Sequence, residues 1–183
     1  INIEANYGHY IWSQVALAGK KWNITPYGTE SMHVLRAEKG YIIVGQDTDG
    51  SMTPMDVNMG WILAKDKPFS YIGRRSFSIS ALNSEERFQL VGLLTKDEQV
   101  VLPEGSNIID NKSRSIGYVT SSYYSPILGR SIALAQLNGG LSKMSETVLV
   151  KIVQEKQGLK EIPCEVSSSV FYDINGEKVD GND

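Results

Sequence analysis

The chain has 183 residues and a formal charge of -3, with 41% apolar and 21% charged residues, the balance of a globular protein long enough for one ordinary domain or two small ones. Its basic residues are scattered and its pI is about 5.5, which excludes the clustered Lys and Arg of a nucleic-acid surface. No apolar run approaches the roughly 20 residues of a membrane span, so neither nucleic acid nor membrane is expected as a partner. Cys164 is the single cysteine; it cannot form an internal disulfide, and a reducing, cytoplasmic setting is expected.

From the first residue, "INIEA" alternates apolar and polar side chains and predicts a strand whose partners lie upstream of Ile1. "NYGHYIWSQVALAGKK" then predicts a helix. Ile11, Val15 and Ala18 form its apolar stripe, with Trp12 and Ala16 beside it, and Gly19, Lys20 and Lys21 form its C-terminal stop. "ITPYG" is a turn. A second helix is expected from an N-cap at Thr29 to Gly40, with Glu38 projecting from its last turn on the face of Ser31 and Leu35. "YIIVG" follows as a short strand, "DTDGSMTPMD" as a solvated loop, and "MGWILA" as an apolar segment in which Met59 and Trp61 line either a pocket or the core beneath it, core packing being preferred.

From Phe88 the pattern changes to short apolar runs separated by turns. The runs are "FQLVGLL", "SNIID", "SIGYVTSS", "RSIALAQL", "TVLVKIV" and "EIPCEVSS"; the turns fall at 103–105, 110–113, 138–140 and 156–158. Six such strands predict a small β-barrel or sandwich. The boundary between the helical part and the strands is placed at 84/85, and a polar tail at 176–183.

The residues exclude several chemistries. His9 and His33 are the only histidines, too few for a three-histidine zinc centre, and no CxxC or HExxH spacing occurs. Neither a P-loop nor a GxGxxG fingerprint is present. "DTDGSMTPMD" lacks the closing glutamate of a calcium loop. Cys164 reads as a small buried hydrophobe rather than a nucleophile paired with His33, and Tyr123 and Tyr124 read as packing residues.

What remains is a resemblance. Arg36, Glu38, Gly40, Gly45, Asp47, Thr53, Pro54, Gly60 and Trp61 reproduce the "R-x-E-x-G … G-x-[DE] … T-P … G-W" arrangement of the glycine-cleavage T-protein (aminomethyltransferase) superfamily. "YIGRR", "QLVGLLTKDEQVVLPEGSNI" and "IGYVTSSYYSPILGRSIALA" resemble its later blocks in the same order. "HVLRAEKGYIIVGQDTDG" and "VFYDINGEKVDG" look most like the sarcosine oxidase alpha-subunit branch. This resemblance implies an α+β fold: the C-terminal part of a folate-binding domain over residues 1–84, then a small antiparallel β-barrel over 85–175. It implies an enzyme that captures the one-carbon unit of N-methyl amine oxidation on tetrahydrofolate, giving 5,10-methylenetetrahydrofolate. It implies further sarcosine oxidase subunits as partners, with flavin and NAD elsewhere in that complex. A free-standing aminomethyltransferase, a dimethylglycine dehydrogenase-like protein and a non-catalytic folate-binding module are the alternatives.

The resemblance also places a site. Glu38 stands at the position of the carboxylate that receives the ring N–H and exocyclic amine of a reduced pterin, a charge-assisted bidentate contact. Otherwise it is a helix residue paired with Lys39 or Arg36. Tyr172 stands at the aromatic position beside the folate, with Phe171 as its competitor. The family's basic residue after "GW" falls on Lys67, with Lys65 as competitor, and lysine gives a point charge where arginine gives a fork. Arg74 either meets the anionic glutamate tail or caps a loop. The catalytic aspartate belongs to a region of the family pattern that this sequence does not contain, so the catalytic residue is unknown and no turnover by this chain alone is expected.

Overall fold

The computed structural model describes residues 1–64, 66–154 and 158–179. Its chain forms two compact units, Ile1–Met32 and His33–Asp183. In the first, "INIEA" is not a strand: residues 1–4 are irregular and Ala5–Tyr7 form a 3-10 turn. Alternation alone does not make a strand, since the backbone groups need a partner, and none of the described strands pairs with this segment. Helix α1 spans Gly8–Gly19 and runs into a 3-10 turn at Lys20–Trp22. The left-handed cap is Asn23 (φ 53°), not Gly19, which stays right-handed. Gly19 answers a different demand: a Cβ there would lie 2.3 Å from the Ile24 Cγ2. The predicted stripe is not buried within this unit, where Val15 and Trp12 are 40% and 63% exposed.

Helix α2 spans Thr29–Glu38. It ends as its sequence predicts, on a glycine: Gly40 (φ 69°) lets the Gly40 amide reach the Ala37 carbonyl and the Tyr41 amide reach the Arg36 carbonyl, the paired bonds of a Schellman stop. "YIIVG" then turns rather than extends. The Gln46 and Asp47 amides both return to the Ile43 carbonyl, and only an isolated bridge, Val44 to Thr48, is formed. Short 3-10 turns at Gly60–Ile62, Arg74–Ser78 and Ser80–Leu82 carry the chain to the strands.

The strands are β1 (Phe88–Thr95), β2 (Asn107–Ile109), β3 (Ser115–Ser125), β4 (Arg130–Asn138), β5 (Thr147–Gln154) and β6 (Gly158–Ser167). All six predicted runs are present. They close as an antiparallel barrel in the order β1-β4-β3-β2-β5-β6, and closure leaves no edge to aggregate. Val91, Leu93, Val119, Ala133, Ala135, Leu137, Val150 and Val166 fill its interior. The alternate residues Leu90 and Leu134 point out of it yet are 1% and 0% exposed. They are covered by Ile42, Met52, Val57, Met59 and Phe171, so the segment between α2 and the barrel packs on the outer face of β1 and β4. Burying each such aliphatic side chain contributes about 1.5–3 kcal/mol. The Leu90 amide donates to the Asp56 carbonyl (2.7 Å), which fastens the same segment to β1.

Cys164 lies wholly inside the barrel, and burial pushes its thiol up to about 12, which removes it as a nucleophile at neutral pH. The turn glycines Gly105, Gly139 and Gly158 have positive φ as their turn assignments require; residues 156 and 157 of the last turn lie outside the described residues, as do 180–183 of the polar tail. No described helix is long and apolar enough to cross a membrane.

Candidate functional site

The last turn of α2 delivers Glu38 into the second unit's interior, where it is 3% exposed. Its carboxylate is paired with neither Lys39 nor Arg36, which bind Asp173 and Asp47 instead. Its Oε1 accepts a hydrogen bond from the Ser125 hydroxyl at 2.5 Å, contributed by the last residue of β3. Its Oε2 accepts none from the described residues. The Glu38 backbone carbonyl meanwhile receives both the Phe171 and Tyr172 amides at 2.9 Å. Lys39 clips the same segment by donating to the Asp173 carbonyl (2.6 Å) and carboxylate (3.0 Å). Burial would raise the Asp173 carboxyl, but Lys39 and the Lys178 amide outweigh it and hold it below its ordinary range. Helix α2, the end of β3 and the segment after β6 thus converge, bringing Glu38 and Tyr172 together. Tyr172 is half-buried, with the Lys178 ammonium 5.8 Å from its ring centre. Phe171 instead packs in the apolar cluster on β1 and β4.

Two turns of chain away, "DTDGSMTPMD" is not a solvated loop. Its first and last residues, Asp47 and Asp56, are buried, at 0% and 4% exposure. Asp47 Oδ2 accepts from Arg36 (2.6 Å) and the Ile43 amide (2.8 Å), and Oδ1 accepts from Thr120 (2.5 Å) and Ser121 (2.7 Å). Arg36 also donates to Ser121 and to the Tyr123 hydroxyl, with its guanidinium over the Tyr123 ring; His33 stacks on that ring at 6.3 Å. Tyr123 is therefore part of a polar network and not only the packing residue expected of it. Arg36 and Glu38 are two residues apart, so the Arg36–Asp47 pair pins the turn that carries Glu38 to β3.

Asp56 is held by Arg87 and by the Thr53 amide and hydroxyl. Burial alone would raise its carboxyl, but these bonds outweigh it and keep it below the ordinary value of 3.8. A depressed folded value contributes stability that is full above about 3.9, the unfolded value, and lost as pH falls through the folded one. Asp56→Asn is accordingly expected to flatten the loss of stability below about pH 4. Unfolding midpoints measured against pH check this; parallel curves for the variant and the parent would remove the pair from acid stability.

Lys67 and Arg74 form a separate pair. Both are exposed. Arg74 donates to the Lys67 and Phe69 carbonyls (3.1 and 3.2 Å), and the Lys67 ammonium lies 5.4 Å from the Tyr71 ring centre. Arg74 thus caps its loop in the way the sequence reading allowed. It also lines a cleft with Met55, Tyr71, Phe77 and Asn83. No hydrogen bond joins this pair to Glu38 or Tyr172 among the described residues, and Lys65 lies outside them. Of the two readings for Trp61 the preferred core role does not hold: it is 80% exposed and borders an open cleft of about 340 Å³ beside Gly40, Asn58 and Ser169, whereas Met59 does pack against the core. Among the described residues no group of three His, Cys, Asp or Glu side chains is arranged to hold a metal.

A closed six-stranded antiparallel barrel, with a buried glutamate brought to the end of β3 by the preceding helix, agrees with two family matches. GCVT N-terminal domain covers residues 1–67, and Glycine cleavage T-protein C-terminal barrel domain covers 89–173. The chain belongs to the glycine-cleavage T-protein (aminomethyltransferase) superfamily. Within it, the chain is 42% identical to a sarcosine oxidase subunit alpha from Corynebacterium sp. (strain P-1), over 99% of this chain and 19% of that protein. It is 30% identical to an aminomethyltransferase of Saccharopolyspora erythraea, over 90% of this chain and 43% of that one. The crystal structure of glycine cleavage system aminomethyltransferase T from Bartonella henselae superposes with a TM-score of 0.73 at 25% identity, covering 88% of this chain and 44% of that one. The chain spans about a fifth of the length of the sarcosine oxidase relatives and under half that of the aminomethyltransferases.

Sequence reasoning missed Ser125, Asp47's full set of donors, and the Asp56–Arg87 pair. A weak signal existed for Asp47, which falls within the family pattern; none existed for Ser125, whose partner is 87 residues away.

Proposed function

We propose that this chain is the folate-binding portion of a sarcosine oxidase alpha-subunit-like enzyme. Residues 1–84 belong to its aminomethyltransferase domain and 85–175 to the C-terminal barrel, a division supported by the family matches on either side of it. The observation that carries the reading is the Glu38 carboxylate, buried and hydrogen-bonded at one oxygen only. The second oxygen, Oε2, has no hydrogen-bond partner among the described residues and so keeps its acceptor capacity for a ligand. A reduced pterin, with its ring N–H and amino group side by side, suits an acceptor of this kind and would be oriented by it. Tyr172 supplies a ring for the pterin or aminobenzoyl face, and Lys67 and Arg74 are assigned to the anionic glutamate end. Tetrahydrofolate, when bound, accepts the one-carbon unit and leaves as 5,10-methylenetetrahydrofolate. The residues of this chain bind and orient it; the reacting acid, the flavin and NAD belong to other parts of the complex, and the remaining subunits are its partners.

Glu38→Gln in the intact protein is expected to weaken tetrahydrofolate binding by about 1.5–3 kcal/mol, since an amide places a donor where two acceptors are needed. Equilibrium binding of tetrahydrofolate checks it. Unchanged affinity would remove Glu38 from the site and, with it, this reading.

A further inference from the structure

The Glu38 carboxylate would be of little use to a planar ligand if it could rotate. What stops it is a hydroxyl. Ser125 is 0% exposed and sits at the end of β3, where its Oγ accepts the Leu128 amide at 3.2 Å. A serine hydroxyl has one proton; because the Leu128 contact uses Oγ as acceptor, that proton is committed to Glu38 Oε1 at 2.5 Å. The hydroxyl rotor is thereby fixed from one side, and it fixes the carboxylate from the other. The main chain of Glu38 is held separately, through the Phe171 and Tyr172 amides on its backbone carbonyl. Oε2 is left as the oxygen without a partner.

We infer that Ser125 is the positioning residue of the ligand-binding carboxylate: it locks Oε1 and sets the plane in which Glu38 accepts a side-by-side pair of N–H donors. This rests on the folate reading above and adds a selectivity consequence to it. A fixed carboxylate rewards a ligand that presents two donors in its plane, and gives little to one that presents a single donor. The charge of Glu38 is not the discriminating element; its orientation is.

The test uses the intact protein and two ligands, tetrahydrofolate and its 2-desamino-2-methyl analogue, which lacks one of the paired donors. Ser125→Ala is expected to weaken tetrahydrofolate binding about tenfold while leaving binding of the analogue unchanged. It is also expected to add nothing when introduced into Glu38→Gln, because the two residues act as one unit. Equal loss for both ligands would show a general structural effect and overturn the inference. So would full additivity with Glu38→Gln. If Ser125→Ala does not fold, Ser125→Cys, whose thiol is a weak donor, is read by the same criteria. The two hypotheses fail separately. A loss of affinity in Glu38→Gln with none in Ser125→Ala overturns the positioning role alone, whereas no loss in Glu38→Gln overturns the folate reading and this inference with it.

Discussion

Asp47→Ala is expected to destabilise the second unit by about 3–5 kcal/mol, the usual cost of removing one partner from a buried ion pair. The carboxylate is 0% exposed and its partner Arg36 has a side chain only 10% exposed. Deleting it leaves the guanidinium without its counter-charge and deprives the Ile43 amide and the Thr120 and Ser121 hydroxyls of their acceptor. Each unsatisfied buried donor adds a penalty of its own. The loss is local in origin, so native-state hydrogen exchange at the β3 and β4 amides of the intact protein measures it directly. Protection within about 1 kcal/mol of the parent would mean that water replaces the carboxylate and that the network does not hold α2 to the barrel. Asp47→Asn is expected to cost less than alanine, because an amide oxygen can still serve two of the donors.

Gly40→Ala is the second large effect, about 3 kcal/mol or more. Two causes combine. Gly40 has φ 69°, a left-handed conformation that costs an alanine of order 1–2 kcal/mol. A Cβ there would also stand 2.5 Å from the Ser169 carbonyl oxygen and 2.9 Å from its carbon. Those are backbone atoms, so the clash cannot be relieved by turning a side chain. Gly40 is two residues past Glu38 and forms its helix stop, so the variant is expected to lose tetrahydrofolate affinity along with stability. Exchange protection and binding are measured on the same sample; normal protection and normal binding together would contradict the close approach. By contrast Gly45 also has positive φ but faces open space, and Gly45→Ala should show the conformational cost alone.

How much of this was legible beforehand depended on the range of the forces involved. The six strands were visible because half-buried strands bounded by turns leave a local signature, and the closure of the barrel follows from burying those faces. Helices α1 and α2 were visible from their spacing, and the stop at Gly40 from its residue type. "INIEA", with its alternation, and "YIIVG", a short apolar run, misled for one reason: apolar patterning records which side chains tend to be buried, not whether a neighbouring strand exists to take the hydrogen bonds. "DTDGSMTPMD" misled through its polarity. Its end aspartates are buried because Arg36 and Arg87, 11 residues before Asp47 and 31 after Asp56, meet them, and charge pairing across that distance has no local mark.

The candidate site divides along the same line. Sequence by itself determined the helix that carries Glu38, its glycine stop and the barrel strands, since these depend on neighbours within a few residues. It also nominated Glu38, Tyr172, Lys67 and Arg74, through family resemblance rather than physics. Only the tertiary structure decided that Glu38 is buried, that Ser125 holds one of its oxygens, that Tyr172 lies beside it, and that Lys67 and Arg74 keep to a loop of their own. A hydrogen bond spanning 87 residues forms because barrel closure carries the end of β3 to the end of α2. That geometry is written in the packing of the whole unit, and in no window of the sequence.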